Sequence, residues 1–162
     1  MKEKHITLLH YTFDLYMERV EITYYDQEYV KNASTTVRRY SRKSNPVLNI
    51  YGYIEKAWDK NVSIAMVIEE YLHNEYRPSF VRFQFKLCDL FDSPLLDLKK
   101  NYGLECPLRP KFYSLTNISI STNTLPNIFP MEQGRVYVLF FITETKHPIV
   151  KSYLYTKFVN KL

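Results

Sequence analysis

Residues 81–87 read VRFQFKL, and the alternation from Val81 to Leu87 decides what kind of fold this is. Val81, Phe83, Phe85 and Leu87 point one way, whereas Arg82, Gln84 and Lys86 point the other. Successive side chains of a strand leave opposite faces, so the stretch predicts a half-buried strand with one wet face. The same period recurs outward from it. Val62, Ile64, Met66 and Ile68 share a face within 62–71. Ile50, Gly52 and Ile54 share one within 49–58, opposite Tyr51 and Tyr53. In 136–142, Val136, Val138, Phe140 and Ile142 alternate with Tyr137, Leu139 and Phe141, which predicts a strand covered on both sides. A closing strand is expected over 149–158.

Nearer the start, 13–17 and 20–24 both alternate, but the phase slips around Glu18 and Arg19, where a bulge or a turn is expected. The stretch 35–42 is polar and basic, as suits a strand near a sheet edge. Turn residues separate these runs at Ser44-Asn45-Pro46, Asp59-Lys60-Asn61, Asn74–Pro78, Glu132-Gln133-Gly134 and His147-Pro148. The spacing is that of antiparallel hairpins rather than βαβ units. No repeat or linker interrupts it, so one mostly β domain over 1–162 is expected.

Composition narrows the chemistry. The 162 residues include 15 Tyr and 10 Phe but only 3 Gly. Gly52, Gly103 and Gly134 build neither a G-x-G-x-x-G nor a Walker-type loop. The net charge of +5 is spread along the chain and reads as a solvated surface. Its densest run, Arg38-Arg39-Tyr40-Ser41-Arg42-Lys43, has the ingredients of a nucleic-acid contact, but one short edge patch predicts no nucleic-acid partner. The longest apolar run, 136–142, is far too short for a transmembrane helix. The opening MKEKHITLLHYTFDL lacks an apolar run of signal-peptide length, so the chain reads as cytosolic or already mature.

Both cysteines flank the one helix signal. Asp92 or Ser93 suits a helix cap and Pro94 the first helical position. Leu95, Leu98 and Tyr102 follow at helical spacing, and Gly103 is a good stop. A short helix over about 93–102 is therefore expected after the 81–87 strand, with Cys88 at the strand end and Cys106 beyond the helix. Two free buried cysteines and a disulfide clip are both compatible with this spacing. A metal site is not expected, because neither a C-x-x-C nor a histidine cluster accompanies them. The triplets at Asn32, Asn61 and Asn117 fit the glycosylation acceptor pattern and lean toward an oxidising, secretory setting.

No catalytic constellation emerges. There is no G-x-S-x-G elbow, and Glu69 and Glu70 fall on opposite faces of a strand. No enzyme activity and no cofactor are expected. Large inward side chains on an antiparallel sheet either fill a solid core or line a cavity between splayed sheets.

Residues 80–143 carry a wider pattern. A strand leads to Cys88-Asp89, a short helix follows, then Cys106-Pro107, a segment between Pro126 and Pro130, then Gly134 and an aromatic strand at Tyr137. The order and spacing resemble a family of secreted insect proteins, the chemosensory B proteins. These are distantly similar to the ganglioside activator protein and the lipid-recognition (ML) superfamily. The resemblance implies a β-cup of two antiparallel sheets with an apolar cavity, secretion, no catalysis, and a Cys88–Cys106 disulfide. In such a cup Leu95, Leu98 and Tyr102 would face the interior at the lip.

Two functions are expected in that frame. The first is a secreted carrier or presenter of a small hydrophobic ligand, such as a lipid, fatty acid, hydrocarbon or pheromone-like molecule. Its ligand residues would be Ile64, Met66, Ile68, Phe83, Phe85, Val138 and Phe140, with Leu95 and Leu98 from the helix. The alternative is an extracellular module that binds a membrane receptor or channel through exposed Tyr51, Tyr53, Tyr153 and Tyr155.

Overall fold

The computed structural model describes residues 12–93, 98–119 and 132–161. Eight strands and two short helices follow one another there. They are β1 (Thr12–Tyr25), β2 (Val30–Arg38), β3 (Val47–Ile54), β4 (Val62–Leu72), β5 (Glu75–Lys86), α1 (Leu87–Phe91), α2 (Leu98–Tyr102), β6 (Lys111–Ile118), β7 (Gln133–Ile142) and β8 (Pro148–Lys161). The strands form two antiparallel sheets, one of five strands in the order β1-β8-β7-β4-β5 and one of three in the order β2-β3-β6. The fold is mostly β, as the period-two pattern requires.

The sheets adjoin along β1 and β2, whose connection is a tight turn at Asp26. The Asp26 carbonyl accepts from the amides of Tyr29 and Val30 at 3.0 and 2.9 Å, and its own amide donates to Ile149 O at 2.8 Å. Its carboxylate meets His147 Nε2 at 2.6 Å, which ties this turn to the one between β7 and β8. Across the molecule β5 and β6 end their sheets without pairing to each other. The two sheets therefore meet along β1 and β2, and β5 and β6 are unpaired edges.

The alternating faces pack inward. Val62 and Ile64 of β4 join Val30 and Ile54 of the smaller sheet in one core that also takes in Trp58, Leu87, Leu90, Phe91, Leu98, Leu104, Leu108 and Ile149. A second, smaller core holds Ile68 and Val81, with Leu15, Phe83 and Val136 against it. The phase slip near the start is a bulge within a single strand: β1 shifts register against β8 between Met17 and Arg19. The basic stretch begins in β2, an edge strand, as expected, but leaves it after Arg38.

Several expectations need correction. The 81–87 strand does not run to Cys88; Leu87 starts α1, because Leu87, Leu90 and Phe91 bury together as one helical turn. Asp92 and Ser93 close α1, their amides donating to Asp89 O and Leu90 O, and the cap expected of them on a following helix falls on 94–97, outside the described residues. Of the expected 93–102 helix, Leu98–Tyr102 is helical and 94–97 lies outside the described residues. Gly103 does end it, at φ +66°. Ile50 does not share the buried face of Ile54. It is 36% exposed and Asn49 is buried, where the β3–β6 register breaks between Leu48 and Ile50. Strand 49–58 stops at Ile54. β6 carried no expectation as a strand.

Candidate functional site

The wall that the sequence predicts for a ligand is built by neighbouring strands in register. Ile64 lies opposite Phe140 on one side and Phe85 on the other; Met66 lies opposite Val138 and Phe83. Because pairs that share a face lie side by side in a sheet, these six side chains form one apolar surface on the inner face of the larger sheet. Met66, Val138 and Phe140 pack against the larger core, together with buried Ile64 and Leu98. Ile68 and Phe83 belong to the smaller core. Phe83 and Phe85 stack with ring centroids 6.4 Å apart and planes at 8°. Phe85 is 38% exposed, at the unpaired edge of the larger sheet. Leu95 lies outside the described residues.

Hydroxyls on the inner face are already spent. Ser152 Oγ donates to Val138 O at 3.2 Å, and Thr156 Oγ1 to Gly134 O at 3.3 Å. A buried hydroxyl bonded to its neighbouring carbonyl offers little to a ligand, so the wall is effectively apolar. One exception comes from a residue that sequence reading left at the end of a strand. Trp58 is buried, its ring centroid 5.4 Å from that of Phe140, and its Nε1 has no hydrogen-bond partner among the described residues. Its backbone bridges to Leu108, amide to carbonyl both ways, at 3.0 and 2.8 Å. Its status as the only tryptophan, just before the Asp59–Asn61 turn, was the available signal.

The facing wall comes from the smaller sheet. Tyr113 and Leu115 of β6 and Ala33 of β2 pack against the same core. Burial pushes the phenols of Tyr113 and Tyr102 up. Both are held as donors, Tyr113 to Arg109 O at 2.9 Å and Tyr102 to Asn117 O at 3.0 Å. The alternation of Tyr113 and Leu115 with Ser114 and Thr116 was readable, but exposed Phe112 breaks it.

Cys88 and Cys106 are joined by a disulfide with Cα atoms 5.7 Å apart, which closes the chain around α1 and α2. Asp59 stands beside it, its Oδ1 3.9 Å from Cys88 Sγ. The bridged sulfurs carry no thiolate, so this group offers no metal-binding chemistry. Two surface recesses accompany these features. One of about 200 Å³ lies over the disulfide, and one of about 240 Å³ lies between Tyr16, Met17 and Arg39. Neither is lined by the predicted ligand residues.

On the outer face of the larger sheet Phe141 is buried and Tyr137 and Leu139 are half-buried, as are Val136, Val138, Phe140 and Ile142 on the inner face. Among the described residues, an aromatic and ionic network lies over this outer face. Arg135 Nε donates to Glu69 Oε1 at 2.8 Å and Arg135 NH1 to Tyr155 Oη at 3.2 Å. The guanidinium lies 3.9 Å from the Tyr153 ring centroid and 4.3 Å from that of Tyr76. Burial works against the charge of Arg135, but the bonds to Glu69 and Tyr155 outweigh it and hold its pKa above the usual value. Tyr155 is itself buried, with Arg19 3.7 Å above its ring, so it is not the exposed contact residue expected. Tyr53 is exposed at 38%, while Tyr51 and Tyr153 are half-buried.

The three acceptor asparagines are all exposed. Asn32 and Asn117 sit in the left-handed region at φ 53° and 60°. Asn61 Oδ1 accepts from the Asp59 amide at 3.2 Å, and Asn117 Oδ1 from Tyr40 Oη at 2.6 Å. The basic run is occupied internally: Arg39 Nε donates to Ser41 O and Ser44 O, and its NH1 to Tyr16 Oη at 2.9 Å.

No family model matches the chain, and no curated protein matches it. Among solved structures, it is similar to that of chicken MD-1 complexed with lipid IVa, at 12% identity over 93% of this chain and 99% of that one, with a TM-score of 0.38.

Proposed function

We propose that this chain is a secreted, non-enzymatic carrier or presenter of a small hydrophobic ligand, such as a lipid, fatty acid, hydrocarbon or pheromone-like molecule. One observation carries the reading. The inner wall of Ile64, Met66, Val138 and Phe140 continues without a polar break to Phe83 and to exposed Phe85 at the unjoined edge. An apolar surface that runs from a core to an opening gives a ligand both a path and a site. Ile68 and Leu98 bound that wall at the two cores. The disulfide and the exposed Asn32, Asn61 and Asn117 support an extracellular setting with glycans at those positions. The resemblance to insect chemosensory B proteins belongs to the same reading, with the whole chain acting as one cup-like domain.

Native mass spectrometry of protein from a eukaryotic secretory host tests it. A stoichiometric apolar adduct, identified after organic extraction, is the expected result. The adduct should fall to below half occupancy in F83A/F85A. A clean apo mass that persists after incubation with lipids and hydrocarbons would overturn the carrier reading. It would favour the second one, an extracellular module for a receptor or channel ectodomain. What favours that second reading is the pair of half-buried rings of Tyr137 and Tyr153, 5.2 Å apart on the outer face.

A further inference from the structure

Among the described residues the most exposed large apolar side chain is that of Phe80, at 89%. Alternation places it on the same face of β5 as Arg82, Gln84 and Lys86, opposite buried Val81. The β4–β5 register runs regularly from Ser63–Lys86 to Val67–Arg82 and then breaks, resuming at Glu69–Pro78. Residues 79–81 therefore face only Ile68, and two surplus residues of β5 leave the ladder there. Ser79 fixes that arrangement from both sides. Its Oγ donates to Ile68 O at 2.7 Å and accepts from the Val81 amide at 3.1 Å. The bulge is thus held by two hydrogen bonds, and it sits beside an outward phenyl ring on the edge strand of the larger sheet.

We propose that this bulged edge of β5 docks on anionic lipid bilayers, with Phe80 as the apolar anchor. Charge selects that occupant. On the face of β5 that carries Phe80, exposed Arg82 and Lys86 have no carboxylate of their own strand, whose one acid, Glu75, is engaged by Arg77. Cations on the same face as an exposed aromatic complement a negatively charged headgroup layer, where the ring enters the acyl boundary and the cations stay at the phosphates. The backbone at the bulge also suits such a medium. An ordinary edge strand presents bare N–H groups, which are costly to take out of water. Here Pro78 has no N–H, and the Val81 N–H is taken by Ser79 Oγ. The same strand carries Phe83 and Phe85, so a docked edge would set the opening of the inner wall against the membrane.

The test uses the full chain with phosphatidylcholine vesicles, with and without phosphatidylserine, in a co-sedimentation titration. The parent is expected to bind the phosphatidylserine vesicles and to be released as salt rises. F80S should bind about tenfold more weakly or worse, because the lost anchor is one buried phenyl ring. R82Q/K86Q should lose about fivefold per charge, together with the preference for phosphatidylserine. Phe80 is so exposed that F80S leaves packing untouched, and an unchanged urea midpoint verifies this. A parent that binds neither vesicle, or an F80S variant that binds like the parent, overturns the proposal; the latter would leave the ring to a protein partner. Apolar-ligand occupancy, measured by native mass spectrometry on the same variants, is expected to be unchanged in F80S. Loss of vesicle binding with retained occupancy separates this docking role from the carrier reading.

Discussion

The ring of Trp58 rests against that of Phe140, centroids 5.4 Å apart and planes tilted by 43°, so the only indole in the chain touches the predicted ligand wall. Its emission should therefore report on that wall. Binding of an apolar ligand is expected to shift or quench it, and F140A should abolish the response. Its orphaned Nε1 also gives a stability contrast. W58F removes a donor that has no partner while keeping a ring, so a loss of only about 1 kcal/mol is expected. W58A should cost about 3–5 kcal/mol, the usual range for emptying a large core site. Urea unfolding curves of the two variants check the difference.

The disulfide closes 18 residues of sequence and holds α1 and α2, with buried Leu90, Phe91 and Leu98, against the core. For a loop of that size the chain-entropy model gives about 3 kcal/mol. Dithiothreitol should lower the urea midpoint of the parent by a corresponding amount. C88S/C106S should start from the lowered value and ignore the reductant. Equal parent stability under both conditions would mean that packing alone fixes this segment.

The Asp26–His147 contact predicts an acid limit. The hydrogen bond from His147, followed by that from the Glu28 amide, lowers the pKa of Asp26 below its ordinary 3.8. The folded state thus binds this proton more weakly than the unfolded chain does. The resulting stability is fully present above the unfolded pKa of about 4 and is lost as pH falls through the depressed folded value. D26N should remove that part of the pH dependence. The measurement is the urea midpoint of parent and variant between neutral pH and about pH 3. Parallel profiles would exclude Asp26 as the source.

On the outer face, Glu69 is the sole carboxylate against Arg135, and it is 7% exposed. Removing it leaves a largely buried guanidinium uncompensated. E69A is expected to cost about 3–5 kcal/mol. R135M/E69A should recover much of that loss, because two apolar side chains need no pairing there. Thermal unfolding of both variants decides it, and equal losses would point to packing by Tyr76 and Tyr153 as the stabilising element.

How much of this was legible in the sequence depended on where alternation was unbroken. The β4 pattern from Val62 to Ile68 and the β7 pattern from Val136 to Ile142 gave the inner wall directly, since register follows once one face is buried. Reading failed where a long-range partner changed the phase. Nothing local to Leu48, Asn49 and Ile50 reveals the break against β6, and Asn49 turns inward because the Asn117 amide donates to its side chain at 2.9 Å. The β4–β5 register break was invisible for the same reason: it is held by Ser79 reaching Ile68 O, eleven residues away in sequence, whereas alternation alone sets Phe80 outward beside Arg82. The outer tyrosines misled differently. An aromatic on a wet face reads as a covered face or a contact residue, and Tyr155 became neither because Arg135 and Arg19 enclose it. In the helix region Leu98–Tyr102 and its stop at Gly103 were legible, whereas α1 was not, because Leu87 was read as the last inward residue of the strand and instead buries with Leu90 and Phe91 as a helical turn.

The strand order has one more consequence. β8, latest in the sequence, lies inside the larger sheet, between β1 and β7. During synthesis β1 must wait with its pairing edge open until Pro148–Lys161 has left the ribosome. Closure of this sheet therefore waits for β8, and a nascent chain arrested before Pro148 would hold β1 apart from β7, exposed to chaperones and proteases.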